Sequence, residues 1–183
     1  MRVISGTAKG CKLNSTTDKS TRPTLDRVKE PLFSILQIHL QGANVLDLFA
    51  GSGALGIECL SRGAKHATFC DKSFVATQIL KQNLEKTKLE DKSTILNVDY
   101  KKCLNKLTKS FDIIFIDPPY KKDIAVDAVQ RILELYLLSK DGIIVLETDE
   151  EEREIKELEK LEVEVYDRRK YGRVKLLFLR ERG

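Results

Sequence analysis

The sequence predicts one α/β domain built around a mostly parallel sheet. From residue 44 onward, short apolar runs alternate with segments whose apolar residues recur at helical spacing, which is the pattern of repeated β-α units. Most of these runs are nearly continuous, as expected for strands that are buried on both faces. The 183 residues, 42% of them hydrophobic, are enough for one well-buried core and too few for two ordinary domains.

Strands and helices can be placed from these patterns. Strands are predicted over residues 44–48, 66–70, 93–98, 111–116 and 142–147, and the clearest helices over residues 73–86 and 123–137. The last stretch differs, because apolar segments 163–166 and 174–179 flank a charged segment, which predicts a terminal antiparallel hairpin. A mostly parallel sheet closed in this way is typical of the Rossmann-like class I methyltransferase fold, an analogy that needs a site to support it.

The N-terminal part precedes this pattern. Residues 2–5 and 11–13 predict a small hairpin, and residues 14–24 a polar loop. Helical spacing follows, so Pro31 must lie in the first turn of that helix or kink it. We therefore divide the single domain into an extension, residues 1–24, and a Rossmann-like core, residues 25–183.

Targeting and metal-binding signals are absent from the sequence pattern. No apolar leader core opens the chain, and no stretch approaches the roughly 20 apolar residues of a membrane span, so we expect a soluble cytoplasmic protein. Four cysteines without a C-x-x-C pair, and two histidines that complete no ligand set, predict neither a disulfide nor a metal site.

A glycine-rich turn follows the first predicted strand and opens into a helix. Its glycines permit positive φ and close approach of a ligand to the backbone. The spacing Gly51-x-Gly53-x-x-Gly56 also fits dinucleotide binding, so the glycines alone do not separate NAD from S-adenosylmethionine. An acid inside the strand favours S-adenosylmethionine, because methyltransferases use a carboxylate there to organise the loop and the methionine end of the cofactor. The cofactor-binding candidates of this segment are Asp47, Phe49, Ala50, Gly51, Ser52 and Gly53.

Two further acids end the next predicted strands. Asp71 lies 15 residues after Gly56, where a carboxylate can accept hydrogen bonds from both ribose hydroxyls. Asp99 ends the third strand, where it can either accept a hydrogen bond from the adenine amino group or cap the following helix. Both residues are candidate cofactor ligands.

The most specific motif is Asp117-Pro118-Pro119-Tyr120, directly after a buried strand. Two prolines stiffen the loop, and these four residues are the catalytic candidates. An exocyclic amine on a base is a poor nucleophile because its lone pair is delocalised. Hydrogen bonds to the Asp117 carboxylate and the Pro118 carbonyl would localise that pair and aim it at a sulfonium methyl, and Tyr120 would stack on the base. Asp117 would be the first acceptor of the released proton.

The target base must be flipped out or unpaired to reach this loop, and an RNA loop is the less costly target. Residues 1–30 contain seven basic and three acidic residues, which accounts for the whole net charge of +4. A second basic cluster lies near residue 168, so the two segments are candidates for binding phosphates. The RNA-binding candidates are Arg2, Lys9, Lys12, Arg27, Lys29, Arg168 and Arg169.

Several motifs together resemble the RsmD family of bacterial 16S rRNA guanine-N2 methyltransferases, nearly from end to end. They are residues 1–6 with Lys9-Gly10, residues 21–24 with Arg27 and Lys29-Glu30, residues 46–53 with 60–64, residues 117–120, and Tyr171-Gly172. The resemblance implies methylation of a guanine N2 amine in 16S rRNA of the small ribosomal subunit. It also implies that residues 21–24 fold over the cofactor, with Arg22 and Pro23 lining its pocket.

Other functions remain open from the residues alone. An adenine-N6 DNA methyltransferase uses the same Asp-Pro-Pro-Tyr chemistry, although 183 residues leave no room for its usual target-recognition domain. A glutamine-N5 protein methyltransferase would carry Asn in place of Asp117. A non-catalytic RNA-binding assembly module predicts a decayed cofactor or catalytic loop, and an NAD oxidoreductase leaves residues 117–120 unexplained.

Overall fold

The computed structural model describes residues 1–16, 22–119 and 123–183, and for residues 22–26 the backbone alone. Within these ranges the chain forms one seven-stranded sheet with helices between the strands. The strands are β1 (Asn44–Asp47), β2 (His66–Cys70), β3 (Ser93–Leu96), β4 (Phe111–Ile116), β5 (Leu138–Thr148), β6 (Val163–Tyr171) and β7 (Val174–Glu181). The α-helices are α1 (Arg22–Leu40), α2 (Ala54–Ser61), α3 (Phe74–Thr87), α4 (Tyr100–Lys106), α5 (Ile124–Glu134) and α6 (Glu151–Leu158), and a 3-10 turn covers Glu90–Lys92.

The strand order β3-β2-β1-β4-β5-β7-β6 makes the sheet parallel from β3 through β5. Strand β7 then inserts between β5 and β6 and is antiparallel to both. This arrangement confirms the predicted mostly parallel sheet with a terminal antiparallel hairpin. The chain moves outward from β1 to β3 and then crosses back to β4, so the order reverses between β1 and β4. In open α/β sheets, ligands bind at such a reversal, beyond the carboxyl ends of the strands.

Both faces of the sheet are covered, which explains the near-continuous apolar strands. In β4, Ile113 and Phe115 join the cluster that contains the buried side chains of α1, α2 and α3. Ile114 and Ile116 point the other way, into the cluster formed with α4 and α5. All four side chains are at most 1% exposed. The central strands are therefore rigid supports for whatever follows their carboxyl ends.

The predicted N-terminal hairpin is confirmed, and a buried ion pair fastens it to the core. Its strands join through the Val3 N–H to the Cys11 carbonyl, at 2.9 Å, and an antiparallel bridge between Arg2 and Lys12. The Glu58 carboxylate in α2 accepts the N–H groups of Ile4 and Ser5, at 2.9 and 3.2 Å.

Lys29 supplies the charge that balances Glu58. Its Nζ lies 2.9 Å from Glu58 Oε1 and donates to the Arg2 carbonyl at 3.2 Å, and both side chains of the ion pair are 0% exposed. Burial raises the pKa of Glu58, but the charge of Lys29 and the Ile4 N–H outweigh it and hold that pKa below its ordinary value. The prediction that Lys29 binds RNA is wrong, because a fully buried ammonium cannot contact a phosphate.

Several boundaries differ from the sequence prediction, and two of them concern the start of an element. Helix α1 begins at Arg22, so Pro31 lies in its interior and not in its first turn; the proline ring removes one backbone hydrogen bond there. Strand β5 begins at Leu138, ahead of the predicted residue 142, because an irregular register between Phe111 and Ile113 of β4 lets the chain pair earlier. None of the described helices combines the length and apolar character needed to cross a bilayer.

Candidate functional site

Four carboxyl side chains gather at the carboxyl edge of the central strands. Asp47 ends β1 and is paired in register with Phe69 of β2 and Phe115 of β4. Asp71 follows β2, Asp117 follows β4, and Glu147 lies near the end of β5. The reversal of strand order thus brings together acids that are up to 100 residues apart in the chain.

The glycine turn after β1 is held by backbone and side-chain hydrogen bonds. The Ala50 N–H donates to the Cys70 carbonyl at 2.8 Å, and the Gly51 N–H donates to Asp71 Oδ2 at 2.8 Å. Asn83 of α3 donates to the Ser52 carbonyl at 2.9 Å. Every segment of the turn is therefore fixed to β2 or α3, and the predicted cofactor residues of this turn form one ordered loop.

The two glycines of the turn serve different purposes. Both have positive φ, +56° at Gly51 and +84° at Gly53. A Cβ on Gly53 would lie 2.1 Å from Leu80 Cδ1, so packing against α3 requires glycine there. A Cβ on Gly51 would meet nothing within 4 Å, so this glycine faces open space at the sheet edge. Gly51 therefore leaves room beside the turn for a bound ligand.

Asp47 is the most buried of the edge acids, with 3% of its surface exposed. Loss of hydration raises its pKa to about 7, the Gly56 N–H opposes that rise, and the nearby charge of Asp71 adds to it. The hydrogen bond from Gly56 joins the end of β1 to the first turn of α2, whose N-cap Gly53 offers no side chain. Asp47 therefore organises the turn, and a cation at this edge would stabilise its ionised form.

Asp71 directly follows β2, as predicted, whereas β3 ends at Leu96, so that Asp99 lies in the short connection to α4. Besides Gly51, Asp71 accepts the Ser73 N–H at 2.9 Å, so it fixes the start of α3 as well as the glycine turn. Asp99 caps α4 by accepting the Lys102 N–H at 2.9 Å, which is one of the two roles that the sequence allowed. That hydrogen bond is the main reason why the pKa of Asp99 lies below its ordinary value.

Asp117 forms a carboxyl pair with Glu147, a residue that the sequence analysis missed. The two acids are neighbours across the sheet, because the residues that precede them, Ile116 and Leu146, are paired in register. Burial raises the pKa of Asp117 well above its ordinary range, and the charges of Glu147 and Asp47 raise it further. Burial also raises the pKa of Glu147. The available signal was the position of Glu147 at the end of the strand predicted to follow the catalytic loop.

The structure describes some of the aromatic and loop residues of the site. Phe49 packs against Tyr100, with ring centroids 5.5 Å apart, and the Tyr100 hydroxyl donates to Asp127 Oδ2 of α5 at 2.6 Å. Pro118 is half-buried and Pro119 exposed. Tyr120 lies outside the described residues, as does Thr21. The side chains of Arg22 and Pro23 also lie outside them, although both residues begin α1.

The remaining RNA-binding candidates are all exposed, unlike Lys29. Arg168 has an ion pair with Glu151 at 3.5 Å, and Arg169 has one with Asp167 at 3.1 Å. Such exposed pairs contribute little stability and leave the guanidinium groups able to meet phosphates. The exposed candidates are Arg2, Lys9, Lys12, Arg27, Arg168 and Arg169.

The reversed strand order, the antiparallel β7 and the glycine turn before α2 together define the Rossmann-like methyltransferase fold. A solved structure of the Escherichia coli protein yhhF, provisionally described as a methyltransferase, superposes with a TM-score of 0.84 at 26% identity. It covers 100% of this chain and 98% of that one.

The chain belongs to the family described as Conserved hypothetical protein 95, which matches residues 1–180. The Bacillus subtilis protein YlbH, provisionally described as an rRNA methyltransferase, is 44% identical over 154 residues, 82% of this chain and 84% of that one. "Ribosomal RNA small subunit methyltransferase D" of Haemophilus influenzae is 35% identical over 154 residues, 82% of this chain and 80% of that one. The resemblance to the RsmD family is therefore confirmed.

Proposed function

We propose that the chain transfers a methyl group from S-adenosylmethionine to the exocyclic N2 amine of a guanine in 16S rRNA of the small ribosomal subunit. The observation that carries this proposal is the position of Asp117 and Pro118 at the strand-order reversal, on the same sheet edge as the glycine turn. The printed name of the Haemophilus relative, a small-subunit rRNA methyltransferase, supports the substrate class.

The residues of the edge fit S-adenosylmethionine. Asp71 would accept hydrogen bonds from the ribose hydroxyls, while Asp47 would organise the methionine end. Asp99 caps α4 through Oδ1, and its second carboxylate oxygen would accept the hydrogen bond from the adenine amine. The open space beside Gly51 suits a bound nucleoside, and the uncapped start of α2 suits a carboxylate. When bound, the cofactor supplies an electrophilic methyl group on a positively charged sulfur. Arg22 and Pro23 would complete the pocket.

The catalytic loop would hold the amine and receive its proton. Asp117 and the Pro118 carbonyl each accept one N–H of the guanine amine, which localises the nitrogen lone pair toward the methyl group. Pro118 and Pro119 keep this loop stiff because their φ angles are fixed. The amine proton leaves after transfer, with Asp117 as its first acceptor. Tyr120 would stack on the flipped or unpaired base.

The rRNA would be bound through phosphate contacts around the site. The exposed basic residues of the hairpin, Arg2, Lys9 and Lys12, together with Arg27, Arg168 and Arg169, supply positive charge for these contacts. We place the reaction in the cytoplasm, on the small subunit or its assembly intermediate, and assign residues 1–24 to the extension and residues 25–183 to the catalytic core.

A labelling assay tests the proposal. The protein is incubated with radiolabelled S-adenosylmethionine and either small subunits that lack the modification, protein-free 16S rRNA or duplex DNA, and labelled nucleosides are separated by chromatography. We expect N2-methylguanosine from subunits or rRNA. N6-methyladenine in DNA would establish the DNA-methylating alternative instead. Cofactor binding without label on any substrate would favour the non-catalytic assembly role.

A further inference from the structure

The register between β4 and β5 makes neighbours of two acids at the catalytic edge. Ile116 of β4 is paired with Leu146 of β5, and the parallel ladder leads directly to Asp117 on one strand and Glu147 on the other. Asp117 and Glu147 therefore lie side by side on neighbouring strands. Two ionised carboxylates are acceptors only, so a hydrogen bond between these side chains requires a proton on the pair.

The surroundings of the pair favour keeping that proton. Asp117 is half-buried, and Asp47 of β1 faces it with a further carboxyl group. In the part of the chain that the structure describes, no lysine or arginine forms a salt bridge with either Asp117 or Glu147. Burial without a cation disfavours two adjacent negative charges, as in other carboxyl dyads. Consistently, the pKa values of both groups lie above their ordinary range.

We propose that Glu147 is a positioning residue for methyl transfer, which shares one proton with Asp117 and takes up that proton when Asp117 receives a second one from the substrate amine. The inference rests on the function proposed above. Before reaction the pair carries one proton and one negative charge, and the shared proton lies between the facing oxygens. The other oxygen of Asp117 is then held toward the amine, and its orientation is fixed by Glu147.

Every bond, electron pair and proton of the proposed step can be accounted for. The nitrogen lone pair forms the new N–C bond, and the electron pair of the broken C–S bond remains on sulfur. The methylated nitrogen, now cationic, releases one proton to Asp117, while the shared proton moves fully to Glu147. The pair is then neutral with two protons, and half-buried Glu147 returns one of them to water.

The test uses Glu147→Gln, which keeps the shape of the side chain but cannot take up a proton. The first readout is an infrared titration of the free protein, in which a protonated carboxyl absorbs separately from a carboxylate. Asp47 and Glu154 also have raised pKa values, so the band of the pair is read as the part of the carboxyl absorption above the ordinary range for acids that differs between wild type and variant. We expect this band in the wild type, and its loss in both Glu147→Gln and Asp117→Asn. Glu181→Gln makes the same chemical change at an exposed position of β7 and should keep the band.

The second readout is the steady-state kinetics of methyl transfer. For Glu147→Gln we expect kcat to fall on the order of 10²-fold, the lower end of what a positioned proton acceptor contributes, with an unchanged KM for S-adenosylmethionine. Thermal melting and cofactor binding confirm that the variant is folded. Persistence of the band in Glu147→Gln, or loss of the band without a fall in kcat, would overturn the inference. Absence of turnover in the wild type would instead refute the proposed function, which the infrared readout does not require.

Discussion

Replacing Lys29 with Met removes the cation from the buried ion pair that fastens the N-terminal hairpin. Both side chains of the pair are 0% exposed, so Glu58 would be left ionised in the interior with less compensation. Breaking a buried pair on one side costs about 3 to 5 kcal/mol. Glu58 keeps Arg62 and two backbone N–H groups, which places the expected loss at the lower end, about 3 kcal/mol.

The assay is guanidinium unfolding of wild type and Lys29→Met, with calorimetry as a second measurement. A loss of about 3 kcal/mol lowers Tm by roughly 6 to 12 °C in a chain of this size. Lys12→Met is the matched control, because it makes the same change on an exposed hairpin residue and should stay within about 0.5 kcal/mol of wild type. A loss below about 1 kcal/mol for Lys29→Met would refute the reasoning that the pair anchors the hairpin.

Three other predictions concern the site itself. Asp47→Asn should gain stability relative to wild type as pH rises from about 4 to about 7, by up to about 4 kcal/mol. Below the unfolded-state pKa, protonated Asp47 contributes stability to the wild type. Because the folded-state pKa of Asp47 is about 7, that contribution is lost as the pH rises through this window. Urea midpoints against pH measure the effect, and parallel curves would contradict it. Asp117→Ala should abolish methyl transfer while cofactor binding, measured by calorimetry, is retained; equal loss of both would contradict the assigned role. Gly53→Ala should cost about 2 kcal/mol or more because its Cβ would overlap Leu80, whereas Gly51→Ala should cost about 1 kcal/mol and mainly weaken cofactor binding. Equal unfolding midpoints for the two alanine variants would show that the Leu80 contact is not limiting.

Parts of the site could be predicted from the sequence because their patterns arise from residues that are close together in the chain. The turn at Gly51 and Gly53 combines a strand, glycines with positive φ and a helix start within a dozen residues. The acids at the strand ends, such as Asp71, could be placed because parallel strands share one carboxyl edge. The two roles considered for Asp99, adenine binding and helix capping, were also inferred from neighbouring residues. Its capping role agrees with α4, which begins at the next residue.

The errors arose where a residue's surroundings come from distant parts of the chain. Lys29 has the charge and neighbours of a surface residue, and only the packing of α1 against α2 and the hairpin buries it opposite Glu58. For Pro31 the sequence left two positions open, the first turn or a kink inside the helix, and the start of α1 at Arg22 decides for the helix interior.

The α/β class, the glycine turn and the stiff loop after β4 could be predicted from the sequence, because hydrophobic period, backbone freedom at glycine and the fixed φ of proline are properties of neighbouring residues. The position of Glu147 beside Asp117 and the burial of Lys29 depend on how the strands and helices pack. Strand register and helix packing join residues about 30 positions apart in each case, and burial then changes their charge state through lost hydration. The proton that we propose for the carboxyl pair is therefore a consequence of the fold, which no local motif encodes.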